Sequence, residues 1–136
     1  MPREAAGAGW IRSQFNIYVP LPAGTGAAEI VTDFIPGYHL FIEKVRAYVA
    51  VVGAGAGATR TLRLLKGAST VVASATVTLA STDTLGEEQV LTITDAAKEY
   101  VDADTLTVDF PAGGTAFTGG ALNLIVQYRA RMQQLS

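Results

Sequence analysis

Apolar and polar residues alternate with a period of two along most of this chain. In "RSQFNIYVPLP", Phe15, Ile17 and Val19 fall on one side and Asn16 and Tyr18 on the other, until Pro20 and Pro22 end the pattern. Successive side chains of a strand point to opposite faces, so this period predicts half-buried strands and not amphipathic helices. "AAEIVTDF" is a second candidate, closed by Pro36 and Gly37. The longest pattern is "LFIEKVRAYVAVV", with Val45, Ala47, Val49 and Val51 on one face and Lys44, Arg46 and Tyr48 on the other. "TRTLRLLK" sets Leu62 and Leu64 against Thr61 and Arg63. "STVVASATVTLAS" sets Val71, Ala73, Ala75, Val77 and Leu79 against Val72, Ser74, Thr76 and Thr78. "EEQVLTIT" is short and β-branched, and "TLTVDF" aligns Leu106, Val108 and Phe110. "ALNLIVQYRAR" closes the chain with Leu122, Leu124, Val126 and Tyr128 facing away from Asn123, Gln127 and Arg129. One stretch, "DAAKEYVDAD", reads as helical, with Asp95 as its cap and room for two or three turns at most.

The sum is about eight strands separated by Gly, Pro and Asp turns, with almost no helix. That spacing predicts an all-β protein, an antiparallel β-sandwich of jelly-roll-like form. The chain has 136 residues, the size of one domain. Residues 1–12, rich in Ala and Gly, read as an N-terminal arm, and residues 13–136 as a single β-sandwich domain. Strand order is not legible from the pattern.

One motif points elsewhere. Residues 53–58, "GAGAGA", follow an apolar strand and satisfy G-x-G-x-x-A, a permitted form of the dinucleotide fingerprint. The chemistry of that motif requires a helix after the glycine turn, whose N-terminus holds the pyrophosphate, and an acid about 20 residues on. Here "TRTLRLLK" follows, short and strand-like, and the first acid downstream is Asp83. The glycines therefore read as a flexible hairpin loop between two strands, and no cofactor is expected.

Composition narrows the chemistry further. There is no cysteine, which removes disulfides, thiolate metal sites and cysteine nucleophiles. A single histidine, His39, follows a turn, and none of the serines a Ser-His-Asp triad would need (Ser13, Ser69, Ser74, Ser81) sits in a nucleophile-elbow pattern. The acids Asp95, Glu99, Asp102, Asp104 and Asp109 are close in sequence but lack the glycine and spacing of an EF-hand loop, so a solvated turn is expected and no metal. No catalytic residue emerges, and the chain reads as non-enzymatic. Ten Lys and Arg are scattered among twelve acids, which argues against nucleic acid. The longest apolar run, near residues 47–52, is far short of the ~20 residues that cross a bilayer, and the N-terminus lacks the apolar core of a signal peptide. Charged residues are only 16% of the chain, against roughly 25% in ordinary domains. So neutral a surface is expected to meet partners.

Two places offer anchors for a partner. Trp10, the only tryptophan, ends the arm beside Ile11 and Arg12, and Trp and Arg are enriched at binding hot spots. Phe117 stands alone among glycines and threonines in "PAGGTAFTGG"; it suits a partner anchor and equally a ring folded back on the core. The stretches "FNIYVPLPAGTG", "VTLASTDTLGEEQVLTIT" and "TLTVDFPAGGTAFTGGALNLIVQYRAR", behind a short arm, resemble the small head-decoration (cement) proteins and related accessory virion proteins of tailed bacteriophages. The resemblance lies in overall style and spans most of the chain. It implies a virion location on the outer surface of the capsid, a homotrimer, and the major capsid protein as partner. Trp10, Ile11, Arg12 and Phe117 are the candidate residues for that contact. The alternative is a receptor- or carbohydrate-binding module of a head fibre or tail, with Tyr18, Tyr38, Tyr100 and Phe117 as candidate sugar platforms.

Overall fold

The computed structural model describes residues 10–34, 36, 39–101 and 103–131. Strands make up 64% of it and helix 5%. In chain order the strands are β1 (Trp10–Pro20), β2 (Ala28–Phe34), β3 (His39–Ala54), β4 (Thr59–Lys66), β5 (Thr70–Thr78), β6 (Glu88–Val90), β7 (Thr92–Ile93), β8 (Glu99–Tyr100), β9 (Leu106–Phe110) and β10 (Gly119–Arg131). They form two antiparallel sheets, one in the order β2-β9-β4-β5-β7 and the other in the order β1-β10-β3-β6, with β8 also on β3. From β1 to β4 the chain changes sheet at every connection, and only β4 and β5 are joined as a hairpin. This interleaving of early and late strands is jelly-roll-like and bears out the expected antiparallel β-sandwich. The two inner faces meet in one core that includes Val19, Leu40, Val45, Leu62, Leu64, Val108, Phe110, Leu122, Leu124 and Val126.

The alternation predicted from sequence holds along β3 and β10 until a bulge interrupts it, whereas all five residues of β9 are buried. In β3, Leu40 and Ile42 are buried, and so are Val45, Ala47 and Val49. The parity changes because Tyr128 pairs with Ile42 and Gln127 with Lys44, leaving Glu43 as the extra residue. A second slip at Ala50 turns Val51 away from its expected inner face, and it is 48% exposed. β5 behaves alike: Leu64 pairs with Ala73 and Leu65 with Val71, so Val72, expected on the polar face, enters the core. "EEQVLTIT" is two strands and not one. Glu88–Val90 pairs with β3 in one sheet and Thr92–Ile93 with β5 in the other, and buried Leu91 turns the corner between them.

The helix expected over "DAAKEYVDAD" is a single 3-10 turn, Asp95–Ala97, followed by β8. Asp95 does not cap it: the cap position is Thr94, without a side-chain hydrogen bond, and the Asp95 carboxylate accepts from Lys98 Nζ at 3.4 Å. So short a segment cannot recover the cost of helix nucleation. Tertiary contacts decide it instead, with Ala97 and Tyr100 buried and the Tyr100 hydroxyl donating to the Leu65 carbonyl at 2.9 Å.

The glycine-rich connection also differs from expectation. Residues 53–58 do not close a hairpin, because β3 and β4 lie in different sheets. Nor are they loosely placed. A Cβ at Gly53 would stand 2.2 Å from Thr82 Oγ1, and at Gly55 (φ +125°) 3.0 Å from the Ala116 carbonyl and the Thr118 amide. Gly53 is required because Thr82 fills the space beside it, and Gly55 because segment 116–118 passes too close for a side chain. The Thr118 amide donates to the Ala54 carbonyl at 2.7 Å. No helix follows, so no pyrophosphate cradle forms.

Candidate functional site

The outer face of the β1-β10-β3-β6 sheet carries two groups of linked polar side chains. Its side chains lie in rows fixed by strand register. One row is Tyr18, Asn123, Tyr48 and Glu88, and the next is Asn16, Ile125, Arg46 and Val90. At the β6 end these rows are tied together. Tyr48 Oη donates to Glu88 Oε2 at 2.8 Å, Arg46 Nη1 donates to the same oxygen at 3.2 Å, and Arg46 Nη2 donates to Gln127 Oε1 at 2.9 Å. The Tyr48 hydrogen bond, with Arg46 beside it, holds the Glu88 carboxyl below the usual carboxylate range. The same hydrogen bond raises the Tyr48 phenol, which loses its proton less readily next to a carboxylate.

A second cluster sits at the other end of the sheet and exists because of the β3 bulge. Glu43, turned outward as the extra residue, accepts from Arg12 Nε through Oε1 and pairs with Arg129 through Oε2, both at 3.2 Å. The Arg129 guanidinium lies 5.3 Å from the Phe41 ring centroid, within cation–π range. Beside it is a shallow depression of about 360 Å³, lined by Phe41, Ile42, Glu43, Ile93, Asp95, Lys98 and Arg129. These charges are paired with one another, so the face suits a broad protein contact more than it suits acid–base or nucleophilic chemistry.

The sequence-based candidates fall in different places. Residues 1–9 of the arm lie outside the described residues. Trp10, Ile11 and Arg12, read as the end of that arm, open β1 opposite Arg131, Ala130 and Arg129. They therefore stand on the edge of this sheet, with Ile11 47% exposed and Arg12 on the outer face. Phe117 is corrected as an interface candidate: it is 0% exposed, part of the domain's own core, and not accessible to a partner. Its loop is held from both sides, by the Phe117 amide on the Pro22 carbonyl (3.2 Å) and by a bridge between Thr115 and Thr59. The sugar platform does not assemble. Tyr100 and Phe117 are buried, Tyr38 lies outside the described residues, and Tyr18 is the exposed member.

The single histidine pairs with Glu99 through Nε2 and tilts against Phe41. The clustered acids are drawn to separate partners. Asp95 meets Lys98, Asp104 accepts from the Val101 amide, and Asp109 makes a bidentate pair with Arg63 at 2.9 and 2.7 Å. Asp102 lies outside the described residues. Among the described residues no group of three such ligands converges.

Sequence reasoning missed Arg60, which is 2% exposed. Its guanidinium donates to the Gly24 carbonyl, to Gly26 at 2.8 Å and to Pro111 at 2.9 Å, and it lies 5.8 Å from the Phe110 ring. The signal was present: Arg60 shares parity with Leu62 and Leu64, so it belongs to the core face. Glu43, Arg46 and Glu88 were missed for another reason, since their partners lie 31 to 86 positions away along the chain.

The chain matches no known family model and no curated protein. Its fold does recur among solved structures. It is similar to a chain of the Cyanophage Pam1 capsid asymmetric unit, with a TM-score of 0.57 and 16% identity over 92% of this chain and 87% of that one. Weaker likenesses are to a chain of the acid-stable capsid of Helicobacter pylori bacteriophage KHP30 (TM-score 0.46, 14% identity, 88% and 90% covered) and to one of the Bacillus endospore appendages (0.44, 18%, 91% and 91%). The shared fold rests on the first of these.

Proposed function

We propose that this chain is a non-enzymatic structural protein of a phage virion, which binds the outside of the capsid as a trimer and stabilises it. The observation that carries this reading is the end-to-end fold likeness to a chain of a phage capsid asymmetric unit. The outer sheet face supports it. Arginines, tyrosines and amides are spread across its strands, and its carboxylates Glu43 and Glu88 are paired with arginines. The low overall charge points the same way. Each copy would contribute a modest contact, and joining copies makes several weak contacts act together.

The test is sedimentation at micromolar concentration, followed by mixing with purified capsids of the source phage. The expected result is a species of three 14.2 kDa chains that saturates the capsid exterior and raises its thermal or mechanical stability. A strictly monomeric species removes the trimer, and capsids that neither bind the protein nor gain stability overturn the decoration role.

A further inference from the structure

The four sheet edges among the described residues are not alike. β7 has two residues and β6 three, too short to template another strand. β2 is longer but its pairing slips twice, between Leu106 and Val108 and between Val108 and Asp109, and it carries Glu29. Such short or irregular edges are how sheet proteins prevent unwanted pairing. β1 has fewer of these protections, with Arg12 its one charge and Pro20 only at its end. It runs eleven residues in unbroken register with β10 and contains no lysine, no acid and no proline before Pro20.

The direction of its hydrogen bonds follows from one contact. The Leu21 amide donates to the Gly120 carbonyl at 3.0 Å, and these two residues continue the β1–β10 register by one step. Hydrogen-bonded pairs alternate along an antiparallel ladder. The odd residues of β1 therefore bond to β10, and the N–H and C=O groups of Trp10, Arg12, Gln14, Asn16 and Tyr18 point to the outer edge. Pro20, with no N–H to offer, falls in the same set. No strand among the described residues pairs with that edge.

We infer that β1 is a strand-addition edge and that its occupant is β1 of a second copy, paired antiparallel about a twofold axis at Phe15. The full-length register sets residue i against residue 30 − i, and it alone pairs all eleven residues. It also places even residues opposite even ones, as the outward hydrogen bonds require. Arg12 then faces Tyr18 of the other copy, a cation beside an aromatic ring, and Gln14 faces Asn16. No like charges meet, because Arg12 is the one charged residue of the strand. Gln14 and Asn16 already share an amide hydrogen bond at 3.1 Å on this face, which the other copy's pair would extend. On the inner side, Phe15 and Ile17, half-buried at the sandwich margin, would be covered by the joined sheet.

This contact goes beyond the trimer proposed above. A threefold ring cannot bring two β1 edges together antiparallel, so paired edges make dimers or join rings. The chain has no cysteine, so introduced ones report cleanly. In this register Ser13 lies opposite Ile17 of the other copy in a non-hydrogen-bonded pair, where Cα atoms approach to about 4.5 Å. An equimolar mixture of Ser13→Cys and Ile17→Cys chains should give a disulfide-linked dimer on mild oxidation. Its yield should exceed at least fivefold that of either chain alone or of Asn123→Cys, on the central strand. The double variant Gln14→Lys/Asn16→Lys, which sets lysines against lysines, should weaken self-association at least tenfold. Mixing it with Gln14→Glu/Asn16→Glu should restore pairing. Cross-linking no better than the Asn123→Cys control, or charge variants that associate like the parent, would overturn the inference. A trimer that persists while the cross-linking and charge tests fail would leave the decoration reading standing as this one falls.

Discussion

Arg60 is the residue on which the loops at one end of the sandwich depend. Three backbone carbonyls from two separate loops converge on its guanidinium, and no carboxylate is needed because carbonyl dipoles satisfy the charge. Arg60→Met keeps an apolar chain in the space beside Phe110 but removes the cation over its ring and leaves those carbonyls without a charged donor. The expected loss is about 2 kcal/mol in urea unfolding, with faster amide exchange confined to residues 21–27 and 111–118. An unchanged midpoint would mean that water replaces the guanidinium at no cost. Gly53 makes the opposite point at the same scale: what matters there is the absence of a side chain, since Thr82 already fills the space.

Among the elements, β6 is held to the sheet by three paired residues, by backbone bonds of Gly86 and Glu87 with Val49 and of Leu91 with Val45, and by the outer-face network of Arg46, Tyr48 and Glu88. The Glu88 pKa is lowered on folding, first by the Tyr48 hydroxyl and then by Arg46. A carboxyl with a depressed folded pKa adds stability that is present above its unfolded pKa of about 4.3. That stability is lost as the pH falls through the folded value. Acidification below about pH 4 should therefore loosen β6 before the rest of the sheet. In an NMR titration Glu88 should titrate below the ordinary glutamate value of about 4.3, and Tyr48→Phe should move it upward. A Glu88 that titrates at that ordinary value, with or without the tyrosine, would show that the hydrogen bond does not hold in solution. The bulge at Glu43 is a comparable device, since a single extra residue both resets the parity of β3 and creates the meeting point of Arg12 and Arg129.

For the whole molecule, the question is which surface meets the partner. Burial removes Phe117 from the contact, and β1 keeps Trp10, Ile11 and Arg12 at a sheet edge. Deleting residues 1–9 should leave the melting temperature within about 2 °C, because β1 keeps all eleven of its pairs with β10. Capsid occupancy should fall if those residues reach a neighbour. Full occupancy by the shortened chain would confine the contact to the sheet face and its edge.

The sequence by itself determined the class of fold and most of its strands, because a period of two can bury one face only as a strand. It also ruled against the dinucleotide reading, since the helix that would bind the pyrophosphate was missing from the pattern. Parity with Leu62 and Leu64 carried a signal for Arg60, but the sequence reading did not use it. Only the tertiary structure decided the rest. Bulges at Glu43, Ala50 and Val72 depend on how a neighbouring strand is aligned, and no local pattern records that. The sheet switch at Leu91, the buried place of Phe117 and the close passage that requires Gly53 arise where distant segments meet. Whether a strand is an edge is likewise a property of its neighbours, which is why the open side of β1 came into view only with the sheet order.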